Sequence, residues 1–383
     1  VSNGLPLKKT PYDNNRFGGQ IGGPILKNKL FFFTNWEYNP IKNYSFSTAC
    51  APTAAGYALL AADPLVNQTN LAQFKNYVPA AAKVAAASDP NCGGSSAIGS
   101  NADVPMGDIG YAGGYYSNFL TGVTSMDYNV SDRDQVRGRY AYEKNNFIDV
   151  SAQIPDFWTS VPYRYHIFTL SEYHTFTPNL TNELRIGFNR SSNSYPGGTF
   201  KFPGLDAFPN LAVGIGEGNG VQLGVDPNAP QFGTQNFYQV VDSIGWVKGR
   251  HNFKFGGEFR EYISPQGFTQ RQRGDYEYLS FDGYFTDQVP DYLAERSIGN
   301  LTYYGNQKMF YGWAGDDWRI TKNFSLNLGL RYEFTQVPLS QRLRRLIEER
   351  AGLELDLGQL DITFHRDDVH VRDGQAPRRR QPV

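Results

Sequence analysis

Residues 306–335, NQKMFYGWAGDDWRITKNFSLNLGLRYEFT, decide the fold. From Phe324 onwards, apolar and polar side chains alternate over twelve residues, so that Leu328 and Arg331 fall on opposite faces. A period of two predicts a β-strand, because successive side chains of a strand point to opposite sides. A second, aromatic-rich strand precedes it across the short turn at 321–323. The pair is therefore a hairpin, and each arm has the roughly ten residues that a tilted strand needs to cross a bilayer.

The same hairpin pattern recurs upstream. Paired strands flank short turns at 131–134, 177–180 and 248–251, and a further long strand is predicted at 29–38. Long polar segments separate the hairpins, so short turns and long loops alternate along the chain. Outer-membrane barrels alternate in this way, with short periplasmic turns and long extracellular loops. The sequence predicts an all-β fold: an antiparallel transmembrane β-barrel fragment of about nine long strands that form an open, curved sheet.

Composition narrows the class of function. The 383 residues carry 36 Lys and Arg against 37 Asp and Glu, for a net charge of −1, and this balance argues against nucleic acid as a partner. Aromatic residues make up 15% of the chain, while no apolar run is long enough for a membrane helix. Both features are compatible with a barrel, whose apolar residues occupy every second position.

Residues 39–122 interrupt the hairpin pattern. The Ala-rich segments 54–62 and 70–87 predict helices, and the whole insert is interpreted as an extracellular helical loop. Cys50 and Cys92 are the only cysteines and bracket these helices. They either form a disulfide or remain as two buried thiols, and a bridge would stabilise the loop by roughly 3–4 kcal/mol on the chain-entropy model.

Few residues suggest chemistry. Asp316 and Asp317 are neighbours on a strand and so point to opposite faces, which prevents them from acting together as acid and base. His166 and His174 share a face but lie too far apart along a strand to bind one ion. Glu217 and Asp226 in a Gly-rich segment either bind Ca²⁺ or belong to a flexible loop.

A further His-rich run, 365–370, is interpreted as a solvated polar segment. We therefore predict no enzyme activity, no catalytic or metal-binding residue and no cofactor. The candidate substrate-binding residues are cations on the polar sides of the strands, where they would line the barrel lumen: Arg137, Arg139, Arg185, Lys254, Arg260 and Arg331.

Several motifs resemble one known family. NNRFGGQIGGPILKNKLFFFTNWEY, at 14–38, resembles the junction between plug and barrel in TonB-dependent outer-membrane receptors of the Oar-like type. GRHNFKFGGEFREY, at 249–262, and GDDWRITKNFSLNLGLRYEFTQVP, at 315–338, resemble barrel hairpins of the same group. The resemblance implies that 1–28 are the end of a plug domain and that 29–338 are part of an outer-membrane barrel.

The same resemblance implies a function. The chain would be a fragment of a receptor that binds a carbohydrate, siderophore or peptide and imports it with energy from the TonB system. The alternative is an outer-membrane structural or adhesin-type protein without transport, and a third interpretation is a soluble β-sandwich that binds carbohydrate. Residues 339–383 depart from the pattern, because they carry nine Arg and no Lys. This atypical tail is interpreted either as an altered reading frame or as a charged helix with an Arg-rich end.

Overall fold

The computed structural model describes residues 11–336. The predicted tail, 339–383, lies outside the described residues. In chain order the strands are β1 (Asp13–Asn14), β2 (Phe17–Leu26), β3 (Leu30–Pro52), β4 (Ser95–Ile98), β5 (Asn101–Asn129), β6 (Asp134–Asp149), β7 (Thr159–Thr177), β8 (Leu180–Tyr195), β9 (Asn210–Val213), β10 (Val221–Leu223), β11 (Gln231–Lys248), β12 (His251–Ile263), β13 (Pro265–Phe268), β14 (Asp275–Tyr278), β15 (Leu293–Glu295), β16 (Thr302–Tyr304), β17 (Gln307–Arg319) and β18 (Ser325–Gln336). The helices are α1 (Ala54–Ala62), α2 (Gln68–Tyr77) and α3 (Phe281–Phe285), with a single 3-10 turn at Pro155–Phe157.

One large antiparallel sheet contains all the long strands. Its order from β3 is β3-β5-β6-β7-β8-β11-β12-β17-β18, and β2 pairs with the other side of β3. Every short turn joins neighbours, and every long loop lies at the opposite end of the sheet, as predicted. We refer to these ends as the short-turn end and the long-loop end. The fold class is therefore confirmed: an all-β protein built from a sheet of long antiparallel strands.

The number of long strands is ten among the described residues, one more than predicted. The extra strand is β2, which pairs with β3 from Phe17–Tyr38 to Leu26–Leu30. Its glycines had concealed it, because glycine disfavours strands. Close contact with β3 requires two of them: a Cβ added at Gly18 would lie 2.8 Å from the carbonyl oxygen of Trp36, and one added at Gly22 would lie 2.9 Å from that of Phe32. The strand covers part of the segment, 1–28, that was assigned to a plug domain, and that assignment stays a prediction.

The sheet is open, as predicted. Within residues 11–336, β2 and β18 form its two edges, and each pairs with a neighbour on one side only. Each edge strand therefore presents a row of unpaired backbone N–H and C=O groups.

The insert at 39–122 contains less helix than predicted. Strand β3 continues to Pro52 and β5 begins at Asn101, so strands occupy much of the segment. Helix α1 has the predicted bounds, whereas the second helix is shorter than the predicted 70–87 and ends at Tyr77. The reason is Pro79, because a proline disfavours helical geometry at the residue before it.

The hydrophobic core lies at the long-loop end. Four segments, 53–100, 150–158, 196–230 and 264–306, pack together into what we call the loop cap. Phe74 of α2 contacts Phe285 with ring centroids 5.0 Å apart, and Phe157 contacts Phe208 at the same distance. A small sheet of order β10-β9-β14-β15 joins two of the segments. The predicted polar loops thus form a single packed body.

None of the helices in residues 11–336 combines the length and the apolar character that a membrane-spanning helix needs.

Candidate binding faces

Strand register divides the large sheet into two faces. Residues directly opposite each other in an antiparallel pair project to the same side. Leu184 pairs with Asp242, for example, and such pairs can be followed across the whole sheet. They define an apolar face with one representative for each of the nine long strands from β3 to β18: Trp36, Met126, Tyr140, Phe168, Ile186, Ile244, Phe255, Ala314 and Leu330. The other side is the polar face.

All six candidate cations lie on the polar face. Arg137 pairs with Ser171, which pairs with Arg185. Arg139 and Arg260 belong to one row of directly paired residues, which runs through Thr169, Gly187 and Gln239. Lys254 on β12 and Arg331 on β18 lie on the same side of the sheet by strand alternation. The structure therefore brings these residues to one surface. Their role in binding substrate stays a prediction.

Carboxylates neutralise four of the six. Arg137 lies 3.8 Å from Asp127 and Lys254 lies 3.4 Å from Asp317. Arg185 contacts Glu183, and Arg260 contacts Glu258. Within the described residues, Arg139 and Arg331 have no carboxylate within 4.0 Å. These two guanidinium groups keep the most hydrogen-bonding capacity for a ligand.

Tyr311 organises part of the polar face. The guanidinium carbons of Arg260 and Arg331 lie 4.7 and 4.9 Å from the centroid of its ring. Glu258 accepts hydrogen bonds from Arg260 and from Gln239. Tyr311 was not predicted from the sequence, although the pairing of β17 with β18 places Tyr311 and Arg331 on the same face of the sheet. The cluster holds Arg331 in position through stacking, a favourable cation–π arrangement.

The other residues singled out in the sequence have structural partners. Asp316 and Asp317 do lie on opposite faces, where they contact His251 at 2.7 Å and Lys254 at 3.4 Å. Glu217 accepts hydrogen bonds from Ser96 and from the backbone of Phe281, while Asp226 accepts one from the backbone of Asn228. These two carboxylates of one loop segment have different partners, and within residues 11–336 neither belongs to a group of three potential metal ligands.

His166 and His174 also contact separate partners. The Tyr140 hydroxyl lies 2.8 Å from His166, and Asp134 lies 2.5 Å from His174. Asp134, Glu172 and His174 form the one group of potential metal ligands within residues 11–336, with ligand atoms within 4.8 Å of one another. Asp134 already accepts a hydrogen bond from Ser131 at 2.5 Å, so side-chain contacts account for its position.

A disulfide joins Cys50 to Cys92, with the Cα atoms 5.3 Å apart. It fixes the end of β3 to the middle of the loop cap. The backbone N–H of Cys50 also donates to the carbonyl of Asn219, at 2.7 Å, which attaches a second loop at the same place.

The loop cap contains a polar pocket. A cavity of about 400 Å³ lies between three of its segments and is lined by side chains that include Gln153, Asn210, Gln222 and Glu277. Sequence reasoning missed these residues, because loop amides carry no periodic signal. The pocket can exchange hydrogen bonds with a ligand of matching polarity.

A chain of hydrogen bonds supports this pocket. The backbone N–H of Gln222 donates to Gln153 at 2.6 Å, and the Gln222 side chain donates to Asn210 at 2.7 Å. Asn210 donates to the buried Asp275 at 2.6 Å, and Arg271 donates to the other oxygen of Asp275 at 2.8 Å. The continuous network holds Gln153, Gln222 and Asn210 in fixed positions.

Burial and charge set the electrostatics of the cap. Burial, followed by the nearby Asp275, raises the pKa of Glu277 above its ordinary value. Burial lowers the pKa of Arg273, which donates to three loop carbonyls at 3.0–3.1 Å. The four cap segments hold twelve acidic and six basic side chains, so the cap repels anions and favours neutral or cationic ligands.

A family comparison accounts for this architecture. The family described as "Outer membrane beta barrel domain" matches residues 2–349. The chain belongs to this family. No curated protein sequence matches the chain significantly.

Several solved structures are similar to this barrel domain. The outer membrane transporter YddB from Escherichia coli has 9% identity and a TM-score of 0.47 over 85% of this chain and 34% of its own. A mutant of the ferric enterobactin receptor PfeA from Pseudomonas aeruginosa has 10% identity and a TM-score of 0.42 over 87% and 38%. The ferric-catecholate import receptor Fiu from E. coli K12 has 12% identity and a TM-score of 0.39 over 86% and 48%. This chain spans less than half of each.

Membership of the family gives the apolar face its meaning. An outer-membrane β-barrel domain lies in the outer membrane and turns its apolar band towards lipid. Large side chains of this face are accordingly exposed, including Ile244, Phe255 and Leu330 at 40%, 41% and 74%. The polar face is the side that faces the lumen of a barrel.

Proposed function

We propose that this chain is part of a TonB-dependent receptor of the Oar-like type, which binds a substrate outside the cell and imports it with energy from the TonB system. The observation that carries the proposal is the loop cap, whose four segments share one core and of which three line a polar pocket. Binding sites characteristically lie on loops that a rigid scaffold positions. Residues 1–28 would be the end of the plug, and the long-loop end would be extracellular.

The pocket and the polar face would act in succession. A substrate would first exchange hydrogen bonds with Gln153, Gln222 and Glu277 in the cap. Inside the barrel it would then meet Arg139 and Arg331, the two candidate cations that hold no carboxylate among the described residues. The remaining four candidates would mainly maintain the shape of the polar face.

The chemistry of the cap favours a neutral carbohydrate or a peptide over an anionic siderophore complex. Amide side chains both donate and accept hydrogen bonds, which matches hydroxyl and peptide groups. The excess of acidic side chains opposes a negatively charged ligand.

A structural or adhesive role is the second candidate. Its support is a group of large apolar side chains that the cap exposes between 289 and 304: Val289 at 83%, Tyr292 at 64%, Ile298 at 90% and Tyr304 at 69%. Large exposed apolar side chains suit contact with another surface.

The two candidates differ in their need for energy. Cells that express the full-length protein would be given a labelled malto-oligosaccharide, peptide or ferric siderophore, with and without a protonophore. Import of one probe that the protonophore abolishes supports the receptor. Cell-to-surface attachment without import, unchanged by the protonophore, supports the adhesin.

A further inference from the structure

The short-turn end of the sheet carries a row of exposed cations. It consists of Lys27, Lys29, Arg133, Lys248, Arg250, Arg319 and Lys322, which we call the basic rim. None of the seven lies within 4.0 Å of a carboxylate in residues 11–336. The cations of the polar face are mostly paired, so this lack of partners distinguishes the rim.

Most acidic side chains near the rim have partners of their own. Asp132 lies in the turn between β5 and β6, and Asp134, at the start of β6, is already held by Ser131 and His174. Further from the turns, Asp127 contacts Arg137, Glu183 contacts Arg185, and Glu172 lies beside His174. Asp316 and Asp317, further along β17, contact His251 and Lys254. The short-turn end is therefore positive, whereas the loop cap is negative.

An aromatic column places part of the rim beside lipid. On the apolar face, the Lys248 ammonium lies 5.0 Å from the ring centroid of Trp246, which lies 5.5 Å from that of Phe253. His251 stacks between Phe253 and Trp318, at 5.3 and 5.1 Å. Tryptophan and other amphipathic rings concentrate at the level of the lipid headgroups. The basic rim therefore lies at that level, with Lys248 on the lipid-facing surface and Arg319, which pairs with Ser325, on the polar face.

Two neighbouring turns concentrate four of the cations. Arg250 donates to the carbonyl of Ile320 at 2.7 Å, and the backbone N–H of Arg319 donates to the carbonyl of Arg250 at 2.8 Å. These bonds bring Lys248, Arg250, Arg319 and Lys322 to one stretch of the rim. A guanidinium has five donors, so Arg250 retains further N–H groups after bonding Ile320.

We propose that the basic rim binds the phosphodiester headgroups of anionic phospholipids in the leaflet that the short turns reach. Basic side chains next to a membrane-embedded segment attract anionic lipids, and the apolar face brings those lipids alongside the rim. The proposal rests on the short turns facing the periplasm, but it does not depend on whether the protein transports anything.

The test measures which lipids accompany the protein. The full-length protein would be folded into vesicles of phosphatidylcholine with 30% phosphatidylglycerol, extracted with its surrounding lipid by a polymer, and analysed by mass spectrometry. We expect the extracted lipid to contain phosphatidylglycerol at about twice its bulk proportion, and 0.5 M NaCl to remove most of this enrichment.

Three variants assign the effect to the rim. Lys248→Gln/Arg250→Gln/Arg319→Gln/Lys322→Gln should bring the proportion back to bulk. Lys27→Gln/Lys29→Gln/Lys322→Gln should reduce it while leaving the Arg250–Ile320 bond intact. Lys42→Gln/Lys75→Gln/Lys83→Gln/Arg164→Gln, which removes four charges from the long-loop end, should retain the enrichment. Heat-modifiable mobility on gels would verify folding of each variant.

Several results would overturn the proposal. One is phosphatidylglycerol at its bulk proportion in the lipid extracted with the wild type. Another is an equal loss of enrichment in the long-loop control variant. A third is full displacement of phosphatidylglycerol by 10 mM inorganic phosphate, which would indicate a site for free anions. Enrichment of lipopolysaccharide in place of phosphatidylglycerol, in vesicles that contain both, would do so as well.

Discussion

Tyr311 shows how a single side chain on the polar face fixes two arginines. Replacing it with leucine removes the ring that lies between Arg260 and Arg331, and should lower the free energy of unfolding by roughly 1–2 kcal/mol, because two cation–π contacts are lost. Tyr311→Phe keeps the ring and should stay close to wild type. The measurement is urea unfolding from lipid vesicles.

The matched control for Tyr311 is Tyr332→Leu, on the apolar face, where the ring is 68% exposed. Equal losses in the two leucine variants would show that the arginines do not contribute.

Asp63 gives a residue-scale prediction about pH. Its carboxylate accepts hydrogen bonds from Leu65, Ser100 and Asn101, which hold its pKa below the ordinary value, with the backbone N–H of Leu65 as the largest cause. A depressed pKa stabilises the folded state fully above the unfolded pKa of about 3.9, and this contribution disappears as the pH falls through the folded value. The Tm of wild type should therefore exceed that of Asp63→Asn at pH 7.

The difference in Tm should shrink below about pH 4, as Asp63 becomes protonated. Thermal unfolding in detergent from pH 7 to pH 2.5 measures it. A difference that is constant over this range would exclude ionisation of Asp63 as the cause.

At the residue scale, the sequence was sufficient to assign faces but not partners. Alternation along single strands placed Arg137, Arg260 and Arg331 on one side, since the period of two is a local property. The Lys254–Asp317 contact joins residues on different hairpins. It depends on the register between β12 and β17, which no single strand encodes.

At the scale of elements, β18 allows a test of the lipid-facing surface. Leu330→Arg should cost roughly 2–4 kcal/mol if the residue lies near the midplane, because it puts a charge in hydrocarbon opposite Ala314. Leu328 is a poorer choice, since it pairs with Asp316, which could neutralise an arginine. The control is Asn327→Arg on the polar face, opposite Asp317, and it should cost much less.

Folding into vesicles at increasing urea concentration measures the free energy of folding of both β18 variants. Equal costs would contradict the division into two faces. Strand β2 illustrates the limit of such patterns, because its glycines suppress the propensity signal, and the close approach of β3 explains only Gly18 and Gly22.

At the scale of the whole molecule, the alternation of turns and loops predicted the order of the sheet but not the loop cap. The cap core joins residues as distant as Phe74 and Phe285, in loops that read as polar and irregular. Its packing depends on contacts between loops, which single-segment patterns do not contain. The pocket with Glu277 was missed for the same reason.

Orientation in the membrane is a second whole-molecule prediction. In the full-length protein, Ile298→Cys should react with a membrane-impermeant maleimide on intact cells, because this loop residue is 90% exposed. Lys322→Cys, in a short turn, should react only after the outer membrane is permeabilised. If only Lys322→Cys were labelled on intact cells, the protein would have the opposite orientation, and the basic rim would lie in the other leaflet.

The open sheet leads to the last prediction. Hydrocarbon cannot satisfy unpaired backbone groups, and within residues 11–336 both β2 and β18 have one unpaired side. When the 383-residue chain is expressed alone, its edges should therefore pair between molecules, giving oligomers or aggregates in detergent and no uptake in a receptor-deleted strain. Light scattering coupled to size-exclusion chromatography would measure the mass. A monomer with the heat-modifiable mobility of a closed barrel would mean that β2 and β18 can pair with each other, and that the register described here does not persist in a membrane.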